Sequence, residues 1–334
     1  MSVYSRRTHL KMLSGGGLAA LLPGCGQIGG NDRITLAHTL DEKHPVHLAM
    51  ERFRDELIAL SGGTLAVEIF PNGQLGSERE LVELAQIGAI SMTKVSSLSL
   101  ENFSQDMGVY SLPYLFEDAG HQYRVLDTEI GREVLGSLDA VLLKGMGYYD
   151  AGARSFYMVD GPVNTPDDIR GKTVRVLSSE ALVKTIETFG GAAAPIAFGE
   201  LYAALQQGVV NGAENNPPSL ITARHYEVAR YYSLDEHTAA PDVVVMGQAK
   251  WDSLSDQQQQ WTQAAMDASA VYQRELWQKA SDEALVELAA NGVTITRPDK
   301  APFREAVKGL RASYEGTRIG DLASRIEAMA GGAS

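Results

Sequence analysis

One segment, residues 255–291, contains 37 residues and neither glycine nor proline. It is rich in alanine, glutamine, glutamate and leucine, and Asn291-Gly292 supplies a helix stop after it. At about 1.5 Å per residue, a continuous helix of this length would span about 55 Å, which exceeds the diameter of one small domain. No clean heptad of apolar residues runs through the segment, which argues against a coiled coil. We therefore predict one long helix that bridges two lobes.

The overall composition is that of a folded protein of about two domains, with 44% hydrophobic and 21% charged residues. The formal net charge is −13, and it becomes −16 without residues 1–24, whose charged residues are Arg6, Arg7 and Lys11. So acidic a surface repels phosphate backbones, which excludes a nucleic-acid partner. The single cysteine, Cys25, excludes an intrachain disulfide and a thiolate metal cluster.

The first 25 residues have the layout of an export signal, in which a basic start is followed by an apolar stretch and a cleavage region. The paired residues Arg6-Arg7 resemble a twin-arginine signal. The segment closes with Leu22-Pro23-Gly24-Cys25, which resembles a lipobox in which Cys25 is acylated. A plain signal peptide with an incidental cysteine is the alternative. Residues 26–32 would then form a tether that holds a soluble protein at a membrane facing the periplasm.

Strand and helix patterns alternate through the rest of the chain. Residues 33–95 read as strand, helix, strand, helix and strand, which is typical of a parallel sheet with helices packed on it. A second series of strands and helices lies between residues 155 and 246. No internal stretch reaches the ~20 apolar residues that a membrane-spanning helix requires. The sequence therefore predicts an α/β protein with two lobes.

Motifs of the common enzyme classes are absent from the sequence. There is no nucleophile elbow, no P-loop and no dinucleotide-binding glycine motif, so we expect neither catalysis nor a cofactor. His44 and His47 could place two imidazoles on one helix face. No third ligand for zinc is evident nearby, and Pro45 puts the pair at a helix start, so we expect no metal.

Two arginines stand in strands, where a charge needs a partner. Arg175 alternates with Val174 and Val176, and Arg154 begins an apolar strand. A guanidinium group presents a planar fork of donors that matches a carboxylate, so two of them near a cleft would suit an organic acid. An internal salt bridge to one of the 42 acidic residues is the alternative for each arginine. Asn215 precedes an irregular Asn-Pro-Pro segment, where its amide could face a ligand or form a turn.

Three motifs around these residues resemble those of one protein family. They are Gly-x-Arg at residues 152–154, Lys-x-x-Arg-Val at residues 172–176, and Phe-x-Glu-x-Tyr-x-Ala-Leu-Gln-x-Gly-x-Val-x-Gly-x-Glu at residues 198–214. The chain after its export segment resembles the solute-receptor subunits of tripartite ATP-independent periplasmic (TRAP) transporters. The resemblance implies a two-lobed fold like that of periplasmic binding proteins, with a long helix across both lobes. It places residues 33–151 and 241–280 in lobe I, and residues 152–240 and 281–334 in lobe II.

The resemblance also implies a set of ligand-binding residues. Arg175 and Arg154 would clamp a carboxylate, and Asn215 would help to hold the same group. The other implied contacts are Phe198 as an aromatic wall, Glu78 for ligand hydroxyl groups, Ser96 and Ser97 as polar contacts, and His38 and His237 near cleft-facing positions.

The implied function is a monomeric periplasmic receptor that captures a small organic acid and delivers it to an ion-gradient-driven TRAP permease. Glu78 favours a sugar acid such as a uronate or an aldonate. A C4-dicarboxylate or keto acid is the alternative, and a third basic side chain in the cleft, which the sequence does not indicate, would favour the dicarboxylate. An enzyme or a sensor partner on the same fold is the alternative from another class.

Overall fold

The computed structural model describes residues 32–331. The predicted export segment, its Cys25 and nearly all of the predicted tether lie outside these described residues. Between residues 32 and 331, no helix combines the length and the apolar character that crossing a membrane requires.

The described residues form a mixed α/β structure. Its strands are, in chain order, β1 (Asp32–Ala37), β2 (Leu65–Phe70), β3 (Met92–Ser96), β4 (Leu143–Tyr149), β5 (Arg154–Met158), β6 (Thr173–Val176), β7 (Ala192–Pro195), β8 (Gly212–Asn215), β9 (Tyr231–Thr238), β10 (Asp242–Gly247) and β11 (Thr294–Thr296). Its helices are α1 (Pro45–Leu60), α2 (Glu78–Gln86), α3 (Ser97–Leu100), α4 (Ala119–Leu126), α5 (Glu129–Gly136), α6 (Glu180–Thr188), α7 (Leu201–Gln206), α8 (Pro217–Thr222), α9 (Gln248–Ser253), α10 (Asp256–Ala290), α11 (Ala301–Ala306), α12 (Lys308–Ala312) and α13 (Arg318–Glu327).

The first sheet has the strand order β2-β1-β3-β10-β4. Strand β1 runs parallel to both β2 and β3, as the alternation of strands and helices in residues 33–95 predicts. Strand β10 is antiparallel to β3 and β4, although it comes about 90 residues later than β4 in the chain. Helix α1 covers this sheet by burying Val46, Met50 and Phe53 against Ile34 and Leu36.

The second sheet has the strand order β11-β9-β5-β8-β6-β7. Strand β6 lies inside it, parallel to β7 and β8, and β5 is antiparallel to β8 and β9. The chain passes between the sheets from β4 to β5 and returns from β9 to β10. These two passages are neighbours, because Tyr149 pairs with Asp242 in the first sheet and Arg154 pairs with Thr238 in the second. The predicted two-lobed α/β fold is confirmed.

Helix α10 bridges the two lobes. Its 35 residues span about 52 Å at the usual rise, and it begins with a capping box between Ser255 and Gln258. Met266 and Trp277 are buried in the core of the first sheet, whereas Leu288, near the end of the helix, is buried in the core of the second. The long helix predicted over residues 255–291 is confirmed.

The end of the chain departs from the predicted lobe assignment, in which residues 281–334 belong to lobe II. Helix α13 buries Leu322, Ala323 and Ile326 in a core that contains strands of the first sheet. The main-chain oxygen of Ile326 also lies 2.9 Å from Nε2 of His121 in α4. The apolar face of α13 therefore returns to lobe I. The remaining lobe boundaries stay a prediction.

Gln273 fastens α10 to the first passage between the sheets. Its Oε1 accepts a hydrogen bond from the backbone N–H of Asp150 at 2.8 Å, and its Nε2 donates to the carbonyl oxygen of Asp150 at 2.8 Å. Gly152 lies two residues further along with a φ of +59°, and a Cβ there would lie 2.9 Å from Nε1 of Trp277. The passage therefore lies directly against the bridging helix.

We predict that Gln273→Leu lowers the free energy of unfolding by about 2–4 kcal/mol, because it leaves two buried backbone groups of Asp150 without a partner. Urea denaturation measures the change. Gln278→Leu on the exposed face of the same helix is the matched control and should change the stability by less than ~0.5 kcal/mol. Equal effects of the two substitutions would contradict the proposed role of Gln273.

Candidate functional site

A cavity lies between the two sheets, next to the passages that connect them. Counted together with the open solvent at its mouth, the space that no atom occupies is about 410 Å³. Residues of both lobes line it: Thr39, Leu40, His44, Glu78, Lys94, Ser96 and Asp242 from the side of the first sheet, Arg154, Arg175, Leu177, Phe198, Asn215, Asn216 and Ser219 from the side of the second, and Ala151 from the passage.

Arg175 lies in β6 and is completely buried. Its neighbours Val174 and Val176 point into an apolar core, so the strand alternation turns Arg175 towards the cavity. Its Nε donates to the carbonyl oxygen of Ile196 at 2.8 Å, whereas Nη1 and Nη2 have no hydrogen-bond partner among the described residues. Burial lowers the pKa of Arg175 below its usual value. The group therefore presents the open end of a guanidinium fork, with four N–H donors, to an anion.

Phe198 stands beside this guanidinium as one wall of the cavity. The centre of its ring lies 6.0 Å from Cζ of Arg175, and the ring packs edge-on against that of His225. A ring at this distance can stabilise the cation without using up its donors.

Arg154 is held by an internal salt bridge, the alternative that the sequence leaves open. Its Nη2 donates to Oε1 of Glu214 at 2.8 Å, its Nε donates to the other carboxylate oxygen, and its Nη1 donates to Oδ1 of Asn215 at 3.0 Å. Burial alone would raise the pKa of Glu214. Arg154 and His237 have the larger, opposite effect and lower this pKa to about 2. Arg154 lines the cavity, but its charge is balanced, and the two arginines are therefore not equivalent.

Asn215 is oriented by that salt bridge. Its Oδ1 accepts hydrogen bonds from Nη1 of Arg154 and from the backbone N–H of Asn216 at 2.9 Å. Its Nδ2 makes no hydrogen bond to the described residues, so the amide offers its donors to the cavity. The second-sheet side of the cavity thus consists mainly of hydrogen-bond donors.

The first-sheet side carries a cluster of one lysine and two carboxylates. Glu78 was identified from the sequence, but Lys94 and Asp242 were missed. Nζ of Lys94, in β3, lies 3.3 Å from Oε1 of Glu78 and 3.0 Å from Oδ2 of Asp242. Burial opposes the charge of Lys94, but Asp242 and Glu78 raise its pKa above the usual value. Burial also raises the pKa of Asp242, against the effect of Lys94. This acceptor cluster of Glu78, Lys94 and Asp242 contains two carboxyl groups for one ammonium group.

Glu78 is fixed at the start of α2 by two further contacts. Its Oε1 accepts from the backbone N–H of Ser96 at 3.1 Å, and its Oε2 accepts from Oγ of Ser99 at 2.7 Å. Lys94 is therefore the third basic side chain of the cleft, contrary to the expectation that none is present. A lysine inside an apolar strand is the same signal that marks Arg175, and it could have identified Lys94.

Three predicted site residues do not line the cavity. Ser97 is completely buried, and its hydroxyl has no partner among the described residues. His237 lies behind Glu214, and its Nδ1 is 2.8 Å from Oδ2 of Asp235. His38 turns away because its Nδ1 accepts from the backbone N–H of Leu40 and its Nε2 then donates to His47 at 3.0 Å.

The histidines near the start of α1 form hydrogen bonds within the protein. Burial, together with His47 and Lys94, lowers the pKa of His38 to about 3, so its ring is neutral and bonds to another histidine. In residues 32–331 no group of three or more potential metal-ligating side chains comes together.

A family model described as "Bacterial extracellular solute-binding protein, family 7" matches residues 36–317. A solute-binding protein of Chromohalobacter salexigens is 34% identical over 262 residues, which cover 78% of this chain and 78% of the relative. A C4-dicarboxylate-binding periplasmic protein of Rhodobacter capsulatus is 28% identical over 279 residues, which cover 82% of this chain and 84% of the relative.

Solved structures with the same fold contain bound sugar acids. A TRAP periplasmic solute-binding protein from Bradyrhizobium sp. BTAi1, in complex with α/β-D-galacturonate, matches with a TM-score of 0.86 and 36% identity over 89% of this chain and 99% of that chain. Another from Pseudomonas putida F1, with bound D-glucuronate, matches with a TM-score of 0.86 and 34% identity over 89% of this chain and 97% of that chain.

The buried pair of His237 and Asp235 makes the stability depend on pH. Burial opposes the imidazolium, but Asp235 and Glu214 outweigh burial and raise the pKa of His237 to about 9. A histidine pKa that is higher in the folded than in the unfolded chain stabilises the fold fully at low pH, and this contribution is lost as the pH rises through the folded value.

We therefore predict that the free energy of unfolding falls by about 1.4 kcal/mol per pH unit between about pH 7 and 9, and that His237→Gln abolishes this slope. Urea denaturation across this range measures it. His225→Gln is the control, because burial lowers the pKa of His225 to about 3 and its loss should leave the slope unchanged. A slope that survives in His237→Gln would show that another group is responsible.

Proposed function

Because this chain belongs to family 7 of the bacterial extracellular solute-binding proteins, we propose that it captures a sugar acid with one carboxylate, a hexuronate, for a TRAP permease. Proteins of this family are binding receptors for transporters and not enzymes. The observation that carries the choice of ligand is the distribution of polar groups in the cavity, which has an unpaired guanidinium group on one side and a cluster of two carboxyl groups with one ammonium group on the other.

The carboxylate of the ligand is proposed to bind Arg175. Both terminal nitrogens of this guanidinium lack a protein partner among the described residues, and a hydrogen bond to a charged group contributes about 1.5–3 kcal/mol. The amide of Asn215 offers a further donor beside it. Arg154 supports this arrangement by holding Asn215 in place, and its own charge is already balanced by Glu214.

The hydroxyl groups of the ligand are proposed to bind the acceptor cluster. Glu78 and Asp242 offer carboxylate oxygens, and hydroxyl protons are the complement of such acceptors. A uronate carries several hydroxyl groups on the ring opposite its carboxylate, so its two ends match the two sides of the cavity. Solved relatives with bound glucuronate and galacturonate support the same ligand class.

A C4-dicarboxylate fits this charge distribution poorly. Its second carboxylate would meet Glu78 and Asp242, and the one cation there, Lys94, is already shared between them. Like charges at this distance inside a protein repel strongly. The C4-dicarboxylate alternative is therefore disfavoured, although two relatives carry that ligand in their names.

Binding is proposed to draw the lobes together. In this structure the carboxylate of Glu101, after α3, accepts a hydrogen bond from the backbone N–H of Glu180 at the start of α6. Asn102 similarly donates to the carbonyl oxygen of Ser178. A ligand that touches both sides of the cavity binds best when these contacts are formed, so it shifts the population towards the closed form.

The proposed place of action is the periplasm, and the proposed partner that receives the ligand is the membrane permease. Acylation of Cys25, a twin-arginine export route and a monomeric state remain proposals that rest on the sequence alone. A sensor as the partner is the alternative, and uptake of the ligand in a strain without the permease would distinguish the two.

We predict that D-glucuronate and D-galacturonate raise the melting temperature of the protein and that succinate and malate do not. At a ligand concentration of 100 times Kd, mass action adds about 2.7 kcal/mol of stability. Thermal melting with this panel is the measurement, and NMR of the recovered sugar should show it unchanged. Stabilisation by succinate alone would contradict the sugar-acid proposal, and appearance of a product would contradict a receptor role.

We predict that Arg175→Lys lowers the affinity for D-glucuronate about 100-fold, because an ammonium group cannot reproduce the two parallel bonds of the fork. Isothermal titration calorimetry measures the affinity. Arg170→Lys is the matched control, since that arginine is exposed and paired with Asp167, and its affinity should stay within about twofold. If Arg175→Lys binds as the parent does, Arg175 is not the carboxylate anchor.

A further inference from the structure

We propose that Ser219 is a further ligand-binding residue, which donates its hydroxyl proton to an oxygen of the bound uronate, and that His44 is the positioning residue that fixes this direction. The inference rests on the proposed function, because it concerns the same cavity. It follows from a chain of hydrogen bonds that begins at the start of α1 and ends at the cavity.

The hydrogen bonds of the His44 ring determine which of its two nitrogens carries the proton. His44 caps the start of α1, and its Nδ1 accepts a hydrogen bond from the backbone N–H of Val46 at 3.2 Å. Burial, with a further effect of Lys94, keeps the pKa of His44 well below its usual value, so the ring is neutral. A neutral imidazole that accepts at Nδ1 carries its only N–H at Nε2.

That N–H determines what the hydroxyl of Ser219 can do. Nε2 of His44 lies 3.1 Å from Oγ of Ser219, so the ring donates and the hydroxyl accepts. The backbone of Ser219 is fixed as well, because its N–H donates to Oδ1 of Asn216 at 2.9 Å. A hydroxyl has one proton, and no described residue accepts the proton of Ser219. Ser219 is only 3% exposed and lines the cavity, so its proton is directed to an acceptor there.

The contact also joins the two lobes. His44 caps α1, which packs on the first sheet, whereas Ser219 belongs to α8, whose Leu220 is buried in the core of the second sheet. The ring of Trp277 in the bridging helix lies 5.8 Å from the ring of His44 and limits its position. The hydroxyl of Ser219 is therefore oriented as a donor only when the two lobes are in contact. Ligand recognition and closure share this one hydrogen bond.

The test uses titration of the full-length protein with D-glucuronate. Ser219→Ala should lower the affinity about tenfold, which is the effect of losing one hydrogen bond to a polar or charged acceptor. His44→Asn keeps a residue suited to capping α1 but is too short to reach Ser219, and it should lower the affinity to a similar degree. Thr222→Val, which removes a hydroxyl that bonds to Pro218 on the same helix, should leave the affinity unchanged.

The double variant distinguishes positioning from a general structural effect. If His44 acts through Ser219, His44→Asn should have no further effect on affinity in a protein that already carries Ser219→Ala. Nitrogen NMR of the imidazole in the parent should show Nε2 protonated and Nδ1 unprotonated. Additive losses, or a proton on Nδ1, would overturn the role of His44, and an unchanged affinity of Ser219→Ala would overturn that of Ser219. A parent protein that binds no uronate would instead overturn the proposed function, and this inference with it.

Discussion

The guanidinium group of Arg175 is buried with one of its three nitrogens bonded to the protein, and the rest of the cleft is organised around that charge. Removing an ion from water costs several kcal/mol unless a partner of opposite charge compensates it. Among residues 32–331 no carboxylate bonds to it, since the nearby carboxylate of Glu214 is bonded to Arg154. We propose that a small anion supplies this compensation, in which case the site is a receptor for acids and not a structural salt bridge.

The other positive charges of the cleft are paired with carboxylates, so the uncompensated charge is confined to Arg175. Arg154 with Glu214, and Lys94 with Glu78 and Asp242, form clusters in which every positive charge has a negative partner. An acidic protein with a net charge of −13 can therefore attract an anion, because a single unpaired cation at contact distance outweighs distant charges that solvent screens. In the proposed complex the acceptor cluster selects the rest of that anion, because it accepts hydrogen bonds from hydroxyl groups and repels a second carboxylate.

Much of the fold was predictable from the sequence, because its signals are local. The absence of glycine and proline over residues 255–291 marks the bridging helix, and the alternation around Arg175 marks a cation in a strand. The pairing of the other charges was not predictable. Glu214 is 60 positions from Arg154, and Asp242 is still further from Lys94, so only the folded sheets bring them together. The order of strands in the first sheet depends on the same kind of distant contact.

The failures at single residues have the same origin. Ser97 and His237 lie next to true cavity residues in the chain or in the sheet, but the direction of a side chain changes with each step along a strand or turn. His38 precedes Thr39, which does line the cavity, and its ring turns inward because a backbone N–H captures its Nδ1. The sequence therefore locates the cavity to within a few residues. The hydrogen bonds of the folded protein determine which of these residues face the cavity.

The bridging helix also ties the two cores together when the protein unfolds. Trp277 and Leu288 are three turns apart on one helix, yet they belong to different cores, and α13 returns the end of the chain to the first. Because the helix packs in both cores, we expect that the loss of either core destabilises the other. Each sheet looks like a domain, but we expect the molecule to unfold in one cooperative transition. The free energy of ligand binding at the cleft then stabilises both lobes against unfolding.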